Sequence, residues 1–198
     1  AHSQNVSYNS ITYMSDIIAG LDLSTSVAGY CTMDEDANIK EWGFYKFDKP
    51  DGYALIDLVE QWSENVWPHI EHADKIILED SLKKYAGGFS SKATISKLLR
   101  FNGIVEYELQ KRKGKGPIEK IHPSTAKKQS FLNRGRVPSS YESPWSTYKD
   151  SKAWVIQRVN EHFDEFTIDY THSDNPRPGT DDICDSLVLA SSYVNNQV

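Results

Sequence analysis

The chain is poor in cysteine, with two in 198 residues, Cys31 and Cys184. Two thiols cannot build a disulfide framework or a four-ligand zinc site. In a reducing compartment both read as buried thiols. No apolar run is long enough to span a bilayer, so no membrane partner is expected. A basic n-region followed by an apolar h-region is also missing, which predicts a cytoplasmic protein. Internal repeats and low-complexity tracts are absent. The balance of positive charge is short too: 22 Lys and Arg stand against 28 Asp and Glu, a net charge of −6.

That deficit argues at first against a nucleic-acid partner, but its distribution reverses the argument. Between Lys83 and Arg136 there are fourteen Lys/Arg and three acids, Glu106, Glu108 and Glu119. The rest of the chain holds eight basic and twenty-five acidic residues. A basic central segment in an acidic chain is the footprint of a polyanion-binding face. The remaining composition, 38% hydrophobic and 25% charged, is that of a globular domain with a sizeable core.

Residues 1–15 read as a polar N-terminal tail. Met14-Ser15-Asp16 has the form of a natural start, so residues 1–13 read as an expression-derived addition. A single domain is expected over 16–198. Strands are predicted at about 16–23, 26–33 and 39–48, the last from alternation of Ile39, Glu41, Gly43, Tyr45 and Phe47 with their neighbours. Leu55, Leu58, Val59, Trp62 and Val66 recur at helical spacing, giving a helix near 53–67 that Pro68 limits. A buried strand ending at Glu79 follows. Next come a Gly87-Gly88 loop and a helix over 92–110 with Ile95, Leu98, Leu99, Asn102, Val105 and Leu109 on one side. A basic loop (111–117), a short strand (118–122) and a helix (124–131) come next. Residues 133–148 read as a mobile loop. A helix over 150–162, a strand over 166–170 and a helix from about Thr180 complete the chain. Antiparallel strands followed by helix-linked strands predict an α/β sheet of mixed direction.

Three acidic sites stand at the ends of apolar elements. Ile17-Ile18-Ala19-Gly20-Leu21 runs into Asp22, Ile76-Ile77-Leu78 runs into Glu79, and Asp182 and Asp185 precede Leu187, Val188 and Leu189. Burying a lone carboxylate is expensive unless a cation or hydrogen bonds meet it. Each site alone is weak. Helix N-termini are commonly acidic, Asp22 could be a hydrogen-bonded strand end, and Glu79 could pair with Lys83 or Lys84. As a set they predict one hard-metal site. Four carboxylates without a His or Cys partner suit Mg²⁺ or Mn²⁺. Two such ions about 4 Å apart would hold the attacking water and the leaving oxygen of a phosphodiester. Asp181 reads as a cap or a support for the set, Asp80 alternates away from Glu79, and His122 and His172 read as surface or loop residues.

The order GLDLSTS (20–26), IILED (76–80) and DDICDSLVLA (181–190) resembles the RuvC-type Holliday junction resolvases of the RNase H-like superfamily. The resemblance runs over residues 16–192. It implies an RNase H-like fold, a five-stranded mixed sheet flanked by helices. It also implies a homodimer that makes paired nicks in four-way DNA junctions with Mg²⁺ or Mn²⁺. By position the catalytic, metal-binding acids are Asp22, Glu79, Asp182 and Asp185. Lys127, or its neighbour Lys128, and Lys152 match basic positions that contact DNA. Lys83, Lys84, Arg134 and Arg136 extend that basic face. Bacterial members often carry a base-probing phenylalanine three residues after the glutamate; here that position is Leu82, which passes the role to Tyr85 or Phe89. The 133–148 segment is also longer than the typical bacterial loop. These departures resemble the bacteriophage branch, whose members cleave branched DNA more broadly and would act in the host bacterial cytoplasm.

Other readings share the same residues. An RNase H-like nuclease acting on flaps or RNA–DNA hybrids would use the same acids. A non-catalytic junction-binding protein would use them only to hold the fold. GLDLSTS also resembles the first phosphate loop of sugar-kinase and actin-like ATPases, but those need two such domains and more chain than 198 residues.

Overall fold

The computed structural model describes residues 16–80, 92–132 and 137–197. Tyr85 and Phe89, with Leu82, Lys83, Lys84, Arg134 and Arg136, lie outside the described residues. Within them the elements run β1 (Ile17–Leu23), β2 (Val27–Asp34), β3 (Ile39–Lys46), α1 (Leu55–Asn65), α2 (Trp67–Ile70) and β4 (Lys75–Glu79). They continue as α3 (Lys92–Lys113), β5 (Ile118–Ile121), α4 (Pro123–Gln129), α5 (Asp150–His162) and α6 (Thr180–Val194). The five strands form one sheet in the order β3-β2-β1-β4-β5. β1 pairs antiparallel with β2 and parallel with β4, and β4 pairs parallel with β5. The sheet is therefore mixed, as the sequence predicts.

β1 lies at the centre and is covered on both faces, which is why its sequence is apolar without a gap. Successive side chains point to opposite faces. Ala19, Leu21 and Leu23 join Leu58, Trp62, Phe101 and Val105 in the core beneath α1 and α3. Ile18 joins Ile77, Ile156, Leu187 and Val188 in the core beneath α5 and α6. The same alternation sends Gly20 and Asp22 to the α6 side, and Ile77 and Glu79 to that side from β4.

Helix α6 is buried almost all round, from Ile183 to Ala190. Its serines cost little there because each hydroxyl donates to a carbonyl one turn back: Ser186 to Ile183 (2.7 Å), Ser191 to Val188 (3.2 Å) and Ser192 to Leu189 (2.7 Å). The helix lies very close to the sheet. A Cβ on Gly20 would lie 2.1 Å from the Ser186 carbonyl oxygen, and one on Gly29 would lie 2.2 Å from that of Asp182. Only glycine permits either approach.

Three local expectations are corrected. Residues 166–170 are not a strand: a single bridge joins Tyr170 to Pro176, and Arg177 N–H donates to Asp169 (2.9 Å). The alternation there reflects one-sided packing, with Phe166 edge-on to Trp42. The expected helix near 53–67 is α1, which ends at Asn65 ahead of Pro68, and Pro68 itself sits in the first turn of α2, where its missing N–H is not needed. On α3 the expected Val105 and Leu109 are buried, together with Phe101, but Leu99 is exposed. Residues 137–148 are anchored rather than mobile. Tyr141 donates to Gln157 (2.8 Å), Trp145 is buried, and Tyr148 packs edge-on to Trp145. Both cysteines are buried, as expected, and burial pushes the Cys31 thiol up to about 12. Among the described residues, no helix is long and apolar enough to cross a membrane.

Candidate active site

The site is assembled by strand register. Leu21 of β1 pairs with Leu78 of β4, so Asp22 and Glu79 follow on neighbouring strands, one residue further on and on the same face. Across the other edge of β1, Asp22 is opposite Gly29, and Gly29 is opposite Phe44 of β3. A single row thus crosses the sheet as Phe44, Gly29, Asp22 and Glu79. The N-terminal end of α6 passes over it. Gly179, with φ of 96°, seats against the Phe44 ring, and the Asp182 backbone rests on Gly29. Asp185 follows one turn later on the same side of the helix.

The four predicted acids are brought together and are partly buried. Burial raises the proton affinity of Asp22 well above the usual carboxylate range, and the charges of Asp185, Glu79 and Asp182 raise it further. Burial and Asp185 lift Glu79 to about 7, against the pull of Lys127. Burial and Asp181 lift Asp182 to about 6, against Lys152. Asp185 is raised by burial while Lys127 and Lys152 hold it down. Carboxylates crowded in this way favour either a proton or a cation between them.

Two lysines stand at the rim. β5 ends at Ile121, opposite Glu79, and α4 starts two residues later. The His122 ring accepts the Ser124 N–H (3.3 Å) and caps that helix. Lys127 of α4 then lines a cleft of about 200 Å³ with Ser151, Lys152, Asp181 and Asp185. Lys128 is exposed outside this cleft, which separates the two lysines that the sequence leaves equivalent. Lys152 forms an ion pair with Asp181. Partial burial pulls the Lys152 ammonium down, but Asp181, Asp185 and Asp182 outweigh it and carry its pKa above the usual value. Sequence reasoning missed Gly29; its signal was an isolated glycine inside an apolar strand.

An all-oxygen set suits a hard divalent cation, and crowded carboxylates with raised proton affinity are what such an ion would relieve. As the side chains stand, no group of three or more His, Cys, Asp or Glu among the described residues is disposed to hold one ion. The acids converge on one region without forming a finished coordination shell.

No protein-family model and no curated protein matches the chain. Solved structures do. Thermus thermophilus RuvC in complex with Holliday junction substrate superposes with a TM-score of 0.61 at 12% identity, covering 92% of this chain and 94% of that one. A second Thermus thermophilus RuvC structure gives 0.56 at 12%, over 91% and 95%. The yeast mitochondrial Holliday junction resolvase Ydc2 gives 0.59 at 14%, over 95% and 81%. At such identities the likeness is one of fold: the chain shares with these structures a mixed five-stranded sheet flanked by helices.

Proposed function

We propose that this chain is a divalent-metal-dependent, structure-selective DNA endonuclease that resolves four-way junctions, and other branched DNA, by paired nicking. The observation that carries the reading is the row across the sheet. It sets Asp22 and Glu79 side by side beneath Asp182 and Asp185, with Lys127 and Lys152 at the rim. The likeness in fold to Holliday junction resolvases supports the same substrate class.

In this reading Asp22, Glu79, Asp182 and Asp185 hold Mg²⁺ or Mn²⁺, two ions per site. Ions held there would supply Lewis acidity toward the attacking water and charge stabilisation at the leaving oxygen. The chain's own residues do the rest. Strand register and α6 bring the four carboxylates to one region, and side-chain rotation would complete the shell around the cations. Lys127 and Lys152 attract the phosphate backbone to an otherwise acidic recess. Lys83, Lys84, Lys128, Arg134 and Arg136 extend that attraction along the duplex arms. Tyr85 and Phe89 serve base opening near the crossover, where stacking on one ring is worth about 1–3 kcal/mol. Two opposed nicks need two active sites, so the functional unit is a homodimer. Leu82 and the long 133–148 segment support the bacteriophage branch, with action in the bacterial host's cytoplasm.

The experiment is side-by-side cleavage of a four-way junction, a Y-fork and an RNA–DNA hybrid in Mg²⁺, Mn²⁺ and Ca²⁺. Symmetric nicks in the junction support the reading. Cleavage of the hybrid alone identifies a different RNase H-like nuclease, and binding without nicking identifies a junction-binding protein.

A further inference from the structure

Asp181 is not among the four converging acids, yet it is the best-connected carboxylate beside them. Its side chain is 13% exposed. One oxygen takes the Lys152 ammonium, and Oδ1 accepts the Tyr148 hydroxyl at 3.3 Å. The Tyr148 hydroxyl also lies 3.1 Å from the Arg177 carbonyl. That same carbonyl receives the Thr180 hydroxyl (2.7 Å) and the Thr180 N–H (3.1 Å) at the start of α6. Tyr148 therefore ties the end of the 137–148 segment to the turn that launches α6, and Asp181 ties both to Lys152 on α5. Three separate stretches of chain meet at one carboxylate.

The consequence falls on Lys152. A lysine on a four-carbon stem samples many positions, and fixing it costs side-chain entropy. Asp181 already fixes it, and it does so beside the recess, where Lys152 acts electrostatically on Asp22, Asp182 and Asp185. An ammonium has three donors. One is given to Asp181, which leaves two for an incoming phosphate. We propose that Asp181 and Tyr148 are positioning residues. They hold Lys152 at the rim of the carboxylate cluster, so that it meets a backbone phosphate of the DNA substrate without first being ordered. This deepens the nuclease reading above and rests on it.

The test is a double-mutant cycle on the intact chain, read by single-turnover nicking and by the salt dependence of junction binding in chelator. Asp181→Ala should slow nicking about tenfold, one charge-assisted contact's worth. It should also flatten the log–log salt slope by about one, as loss of one lysine–phosphate contact does. Lys152→Ala should do the same, and the double variant should be no worse than Lys152→Ala, because the pair acts as a unit. Tyr148→Phe should move both readouts in the same direction by less. Asp181→Asn, which keeps an acceptor for the ammonium and guards against misfolding of the alanine variant, should recover part of the rate. A purely structural Asp181 would lower the melting temperature and leave the slope unchanged. An unchanged slope, or losses from Asp181→Ala and Lys152→Ala that simply add, overturns the proposal while leaving the nuclease reading intact. A wild-type chain that nicks no junction overturns both.

Discussion

Gly29 and Asp182 are in contact that only a missing side chain allows: a Cβ on Gly29 would stand 2.2 Å from the Asp182 carbonyl oxygen. Gly29 is also the cross-strand partner of Asp22. One glycine thus sets how closely the helical acids approach the strand acids. The obstacle to a methyl group is backbone within a buried helix, which cannot swing aside.

Gly29→Ala should therefore push the start of α6 off the sheet. Overpacking of this kind costs about 1–3 kcal/mol, and at this chain length each kcal/mol lowers the melting temperature by about 2–4 °C. Nicking should fall by more than that loss predicts at a temperature where the variant is still folded. Gly20→Ala, which meets the Ser186 carbonyl, tests the same packing one turn further along α6. A Gly29→Ala chain with unchanged melting temperature and full activity would contradict the packing argument.

The acids also make stability depend on pH. Asp22, Glu79, Asp182 and Asp185 all bind a proton more tightly in the folded chain than in the unfolded one, where Asp and Glu titrate near about 4. Such groups cost stability as they ionise. In chelator, the stability they lend is full below about pH 4 and is lost as pH rises through about 6 for Asp182 and about 7 for Glu79. His162 works against this trend, since burial and Arg158 hold its pKa below the usual value. The comparison is therefore with a variant in which His162 is intact. Asp182→Asn should melt above wild type at about pH 8, and the gap should close toward about pH 5. Mg²⁺ should stabilise wild type more at the higher pH, because only ionised carboxylates bind it. A gap that widens toward acid pH would contradict the assigned shifts.

Lys127 and Lys128 are neighbours in sequence but not in surroundings. Replacing both with alanine should flatten the log–log salt slope of junction binding by roughly two if both meet phosphate. Lys127→Ala alone should also reduce nicking, because Lys127 is the one that acts on Glu79 and Asp185. Lys128→Ala should change affinity with little effect on the nicking rate of bound substrate. Equal loss of nicking rate from the two would place them in one environment.

The acids were legible because a carboxylate at the end of an apolar run needs a physical reason, and Asp22, Glu79 and the Asp182–Asp185 pair each needed one. The sheet's mixed direction was legible from pattern and connection length. What escaped depends on the far side of a contact. Gly29 gains its role only from α6, more than 150 residues later. The choice between Lys127 and Lys128 depends on the rotational phase of α4, a seven-residue helix too short to declare its buried side. Phe166 and Ile168 alternate as a strand does, but what they do there is pack on one side, Phe166 edge-on to Trp42. Helical spacing placed Val105 and Leu109 in the core correctly but also Leu99, where the neighbours of α3 select Phe101 instead.

The most direct test compares wild type with Asp22→Asn on a synthetic four-way junction in Mg²⁺. Asp22 sits between Gly29 and Glu79 in the row on which the whole account depends. The account predicts paired, symmetric nicks by wild type. The variant should give none above background while its junction affinity in chelator is kept, since one carboxylate charge is lost and the phosphate contacts are not. Full nicking by Asp22→Asn, or a wild type that binds the junction and leaves it intact, would contradict it.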